Sequence, residues 1–193
     1  NTSVYGNGAA SVTGGYNTVL GVGAGNSLTS GIANTILGSR TASAATISGT
    51  YNIAIGESAM NQLSSGGYNV AIGSSALSSV GGGNSNTAVG VEALWYNTGS
   101  NNIAIGRASS YYNTSGAGNL GIGFQAGHFN STGSNNTLVG YRSGYGVTAN
   151  SNSNNTGLGY QSLTAVTTGS NNIAVGYNAA DNLTSGTKNI VIG

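Results

Sequence analysis

A short pattern of polar, apolar and small positions recurs along the chain. It consists of an asparagine, a β-branched or aliphatic residue, a small or aliphatic residue, an aliphatic residue and a glycine. Copies begin at Asn17, Asn34, Asn52, Asn69, Asn86, Asn102, Asn119, Asn136, Asn155, Asn172 and Asn189. Successive starts lie 17, 18, 17, 17, 16, 17, 17, 19, 17 and 17 residues apart. A degenerate copy, Ser3-Val4-Tyr5-Gly6, precedes them. A fixed period of this length is the mark of a repeat architecture, in which each unit buries its apolar side only by stacking on its neighbours.

The columns between the asparagines predict what each unit contains. The residue before each glycine is aliphatic throughout, from Leu20 and Leu37 to Val175 and Ile192. Three residues after the glycine the chain is small, as at Ala24, Ala59, Ala93, Ser109 and Ser143. A large apolar residue often follows, at Leu28, Leu63, Val80, Val147, Val166 and Leu183, and then a Thr/Ser-Gly turn signal. Alternating β-branched residues ended by glycine read as a short strand, and the Thr/Ser-Gly segment as a turn. About 17 residues suit two short strands and two turns. The fold class expected is therefore all-β: a parallel β-solenoid of about twelve coils, forming one domain over residues 1–193 and a piece of a longer fibre. At about 4.8 Å per coil the rod would be about 55 Å long. The asparagines tolerate turn geometry and can bond from coil to coil as an amide ladder.

Alternation then bears on assembly. If the aliphatic residue before the glycine points inward, its predecessor points outward. That outward column includes Ala54, Ala71, Ala88, Ala104 and Ala174 and is apolar or glycine in every copy. Two arrangements accommodate it: contact with a second copy of the chain, or a flattened coil with two interior layers. The first is preferred, because a coil this small encloses little interior.

Composition narrows the classes further. Only 4% of residues are charged and the net charge is +1, so no basic field exists for nucleic acid. Gly supplies 35 residues and Cys none, which excludes disulfides and zinc–thiolate sites. No apolar run is long enough to insert into a membrane.

The motifs Asn52-Ile-Ala-Ile-Gly56, Asn102-Ile-Ala-Ile-Gly106 and Asn86-Thr-Ala-Val-Gly90 resemble the head repeats of trimeric autotransporter adhesins. The stretch Thr168-Gly-Ser-Asn-Asn-Ile-Ala-Val-Gly176 is equally similar to repeats of bacterial surface proteins and phage tail fibres. The resemblance covers nearly the whole chain, from Val4 to Gly193, although the adhesin heads commonly use a coil a few residues shorter. It implies a left-handed β-roll, three chains side by side, a place outside the cell or on a virion, and attachment to a host-surface glycan or matrix.

Enzyme chemistry finds no support in the residues. The one histidine, His128, reads as a surface residue in a variable turn, and the carboxylates Glu57, Glu92 and Asp181 are far apart in sequence. No cofactor or metal is expected. Asn-x-Ser/Thr triplets at Asn113, Asn130, Asn135, Asn154 and Asn182 are glycan acceptors only in a suitable secretory host. The residue after the strand glycine is aromatic in four consecutive copies: Phe124, Tyr141, Tyr160 and Tyr177. This column should stand in line on the outer surface, either stacking on sugar rings or stabilising neighbouring coils. The expected function is an adhesive or structural fibre segment. The alternatives are a filament subunit stacking head to tail, and an ice-binding solenoid whose threonine columns are interrupted.

Overall fold

The structure is a computed structural model that describes residues 2–5, 13–44, 47–79, 81, 83–147 and 150–193. Gly6 and Val80 of the repeat columns lie outside the described residues. Twelve strands of three residues, from β1 (Ser3–Tyr5) to β12 (Ile190–Ile192), form one parallel sheet in sequential order. The chain is an all-β solenoid with one strand per coil. Pairing keeps every column in register, as in Ala54↔Ala71 between β4 (Ile53–Ile55) and β5 (Val70–Ile72). It holds across the 16- and 19-residue steps, where Thr87 meets Ile103 and Thr137 meets Thr156. Length differences are therefore absorbed in the turns.

Among the described residues the second strand expected in each coil is reduced to isolated bridges, Leu28 with Ile47 and Asn130 with Asn150. After each strand glycine the backbone alternates into the left-handed region, at Ser58 (φ 57°) and Met60 (φ 49°) in one coil and Ser75 (φ 57°) and Leu77 (φ 50°) in the next. Amide bonds there run alternately to the coil below and the coil above, as in Ser58 N–H to the Ser39 carbonyl and Met60 N–H to the Ala76 carbonyl. None of the non-glycine residues with positive φ is β-branched, which agrees with the steric cost of a branched Cβ in that region. A glycine ends the strand for two reasons. At Gly73 φ is 135°, and a Cβ would lie 2.6 Å from the Gly90 carbonyl oxygen of the next coil.

The ladder asparagines close the other end of each strand. Asn69 Nδ2 donates to Asn52 Oδ1 (3.1 Å) and to the Gly83 carbonyl (2.8 Å), while its own Oδ1 accepts the Asn86 backbone N–H (2.9 Å). The same backbone bond links every successive pair from Asn17 to Asn189. At the 16- and 19-residue steps the side-chain bond is rerouted to another asparagine, from Asn102 to Asn97 and from Asn155 to Asn152, whereas the 18-residue step keeps it.

This ladder corrects the inside–outside assignment. Asn52 and Ala54 are two residues apart in one strand, so they face the same way. With the asparagine side chains buried, the strand centres are buried too. Ala54, Ala71, Ala88, Ala104 and Ala174 are all 0–1% exposed within a single chain and cannot touch a second one. The flanking columns, which hold Leu20, Ile53, Ile55, Ile72, Ile103 and Ile105, face outward instead.

The interior is narrow and fills by complementary volumes. The strand centre meets the residue six positions later. Small Ala54, Ala71 and Ala88 go with large Met60, Leu77 and Leu94; large Val19 and Leu138 go with Gly25 and Gly144. A Cβ on Gly144 would lie 2.5 Å from Leu138 Cδ2. At the far corner, Leu28, Ile47 and Leu63 give way to Asn97, Asn113, Asn130 and Asn150, then Val166 returns. The interior is therefore apolar in the first half, amide-lined in the middle and apolar again near the end.

Replacing Asn86 by Ala removes donors to Asn69 Oδ1 and the Gly99 carbonyl and the acceptor for Asn102 N–H. Loss of about 2–4 kcal/mol is expected, because buried partners are left unsatisfied. An outward Ile103→Thr change should cost under about 1 kcal/mol in an isolated chain. Denaturant melts followed by circular dichroism compare the two.

Candidate functional site

Chemistry on this rod sits on its outer columns, where each side chain repeats at the strand spacing. Phe124, Tyr141, Tyr160 and Tyr177 do stand in line, with ring centroids 5.2, 5.0 and 5.2 Å apart and planes within 15° of parallel. Tyr177 is 70% exposed. The stacking turns ring faces toward each other, so the strip presents mainly edges and phenol hydroxyls. Arg107 lies over the Phe124 ring at 5.9 Å, on the side of the preceding coil, and Arg142 over Tyr141 at 5.5 Å. Sugar stacking on the inner ring faces of this column is thus blocked by its own members. A smaller ladder of the same kind pairs Tyr51 with Tyr68 at 5.1 Å, before the ladder asparagines.

A second and larger aromatic array was not anticipated from the sequence. Three dipeptides, Trp95-Tyr96, Tyr111-Tyr112 and His128-Phe129, followed by Tyr145, occupy successive coils in register. One column runs Trp95, Tyr111, His128, Tyr145 with centroids 5.6, 5.2 and 5.3 Å apart. The other runs Tyr96, Tyr112, Phe129 at 5.5 and 5.2 Å. Edge contacts join the columns, such as Tyr111–Tyr112 at 4.6 Å. Arg142 reaches this array as well, 5.0 Å over Tyr145, and so bridges both ladders. The spacing of the dipeptides, 16 and 17 residues, was a readable signal. The signal is confined to these coils: in earlier ones Ser78-Ser79 or Asn61-Gln62 stand in its place.

His128 is corrected from a surface residue to a buried one, 8% exposed between Tyr111 and Tyr145. Its Nδ1–H donates to the Ala108 carbonyl at 2.9 Å. Burial pushes its pKa below the usual histidine value; the Ala108 bond opposes this, Arg142 adds to the lowering and Glu92 opposes it. Tyr111 is pushed up, first by burial and then by Tyr96 and Glu92. The neutral forms of both fit the stack. Of the glycosylation triplets, Asn113 and Asn130 are buried, whereas Asn135, Asn154 and Asn182 are exposed.

The charged residues do not converge. Arg40 pairs with Glu57 on an exposed face, a contact worth little in water. Among the described residues no group of three histidine, cysteine, aspartate or glutamate side chains is placed to hold a metal ion. A cavity of about 150 Å³ lies between the last coils, lined by Gln161, Thr164, Asn178 and Asp181. No protein-family model, curated protein or solved structure matches the chain.

The histidine gives a pH test. A lowered folded-state pKa means the unfolded chain binds the proton first, so stability is full above the ordinary value of 6.5. It is lost as pH falls from there through the lowered folded pKa. The melting temperature should therefore drop on acidification below that value, and His128→Phe should flatten this drop while keeping the stack. Thermal melts of both proteins across mildly acidic pH measure it.

Proposed function

We propose that this chain is a non-enzymatic fibre segment that works outside the cell, on a bacterial surface adhesin or a phage tail fibre. In it, copies of the chain lie side by side through the outer face of the sheet. The observation that carries this reading is an outward column, the residue before each strand glycine, that is apolar in every strand, beside a second outward column in which Ile, Val and Leu are interspersed with Thr. Leu20, Ile72, Ile105 and Leu158 in one column, and Ile53, Ile103 and Ile173 in the other, are each about 40–50% exposed. A soluble sheet face that stays single usually carries polar residues. Twelve strands at about 4.8 Å give a strip about 50 Å long. Three-residue strands span about 10 Å, so the strip measures about 500 Å² before the flanking residues are counted, against about 800 Å² contributed by one partner to a standard stable interface. The resemblance of the repeats to trimeric adhesin heads favours three copies around one axis, each turning this face inward.

Two further features support a structural or adhesive role. Stacked columns make a stiff rod, since each coil depends only on its neighbours and is bonded to them along the whole backbone. The outer aromatic ladders lie on either side of the apolar face, displaying hydroxyl edges that repeat along the rod. In a side-by-side bundle the same edges recur on every copy, so weak contacts to a host surface add through multivalency.

Static light scattering after size exclusion tests the assembly. The unmodified chain should run as an oligomer, and Ile55→Lys with Ile105→Lys should yield folded monomers, because each charge would be buried without a partner. Ala88→Lys should instead unfold the coil around it, since Ala88 is 0% exposed inside the chain. A monomeric unmodified chain would rule out the side-by-side reading.

A further inference from the structure

Two outer columns run along the rod: the residue two after each strand glycine, and the residue three further on. In the middle coils rings occupy the second column: Trp95, Tyr111, His128 and Tyr145. Arg142 lies across the last of these, 5.0 Å over the Tyr145 ring. In the next two coils the rings are replaced by Thr164 and Asp181, and the facing residues are Gln161 and Asn178. There the cavity of about 150 Å³ is bounded by those four side chains. It is open to solvent on one side, so a small polar ligand reaches all four side chains from the surface.

The lining is rich in acceptors. Asp181 brings a carboxylate, one oxygen of which accepts from Asn182 Nδ2 at 2.9 Å. Thr164 donates its hydroxyl to the Gln161 carbonyl and so keeps lone pairs for a ligand. Asn178 carries a side-chain oxygen shielded from solvent and without a hydrogen-bond partner. A ligand hydroxyl meets that oxygen only after the side chain turns toward the cavity, a movement that relieves an unmade hydrogen bond costing about 1–3 kcal/mol. A matching ligand must offer several donors at short spacing and no negative charge, because Asp181 would repel phosphate, sulfate or carboxylate. Calcium fits poorly, since it takes 6–8 oxygens with carboxylates prominent, and one carboxylate is present.

We infer that Gln161, Thr164, Asn178 and Asp181 form a subsite for a neutral hexopyranose, held by its vicinal hydroxyls. Tyr160 and Tyr177 each directly precede one of the amide residues in the chain and are themselves exposed. Selectivity comes from hydroxyl geometry rather than ring stacking, because the ladder rings cover each other's faces. The inference rests on the adhesive half of the function proposed above and places the ligand contact in these two coils.

The test uses the whole chain, labelled with ¹⁵N, and the methyl glycosides of galactose, glucose and mannose as probes. Side-chain amide signals of Gln161 and Asn178 should shift saturably with at least one of them. A single shallow subsite implies affinity in the mM range, so titration to about 100 mM is needed. Asp181→Asn and Asn178→Gly should each weaken binding about tenfold or more; glycine suits the left-handed backbone at Asn178 (φ 54°). Glu57→Ala, on a distant coil, should bind as the unmodified chain does. Circular dichroism melts establish that the variants are folded. No saturable shift with any of the three glycosides overturns the site, as does unchanged binding by folded Asp181→Asn and Asn178→Gly. Light scattering on the same samples separates this from the fibre reading: an intact oligomer that ignores sugar removes the subsite and leaves the assembly standing.

Discussion

Each coil of this solenoid is held to the next by the amide of one asparagine. The side chain reaches one coil back with its nitrogen and one coil forward to a glycine carbonyl, while its oxygen takes the next asparagine's backbone N–H. Each buried amide spends its donors and acceptor on the coils behind and ahead. The ladder therefore needs an asparagine at the same corner of every coil, and the turns take up steps of 16 to 19 residues. It also decides which side of every strand is inside, because residues two apart share a face. The burial of the alanine column, the outward turn of the isoleucine columns and the apolar exterior of the sheet all follow from that orientation.

A narrow coil limits what the ladder can enclose. The interior holds one strand-centre side chain and one from the left-handed segment opposite, and their volumes trade off from coil to coil. Where both are small, as at Gly121 and Gly127, hydroxyls fill the gap: a Cβ on Gly121 would lie 2.7 Å from the oxygens of Ser109 and Ser110. The middle coils have a polar interior, with Asn113 and Asn130 bonded to the glycine carbonyls that turn the chain. These are also the coils that carry the aromatic arrays outside. Stacked rings there add about 0.5–1.5 kcal/mol per pair, which offsets a core poor in apolar area.

The same stacking shapes the exterior as a recognition surface. Aromatic columns spaced by one strand separation close on themselves and leave edges, hydroxyls and guanidinium groups to face solvent. Where the inner rings give way to Thr164 and Asp181, a cavity opens beside Gln161 and Asn178. Position along the rod thus sets local chemistry, although every coil has the same backbone.

The sequence by itself determined the repeat, the all-β solenoid, the in-line asparagines and the alignment of Phe124, Tyr141, Tyr160 and Tyr177. All of these depend on period alone, and period survives any error about direction. The inward parity was also within reach, since an asparagine that bonds from coil to coil must be buried and carries Ala54 inward with it. It was missed because alternation has two phases, and large aliphatics were given the inside by default. Tertiary structure alone decided the rest. The left-handed segments replaced a second strand because inter-coil bonds stabilise a conformation that local propensity disfavours. His128 became buried because rings from two other coils enclose it. The cavity at Gln161, Thr164, Asn178 and Asp181 exists only because two coils lack the rings that occupy the same column below, a juxtaposition of residues 17 apart that no local pattern encodes.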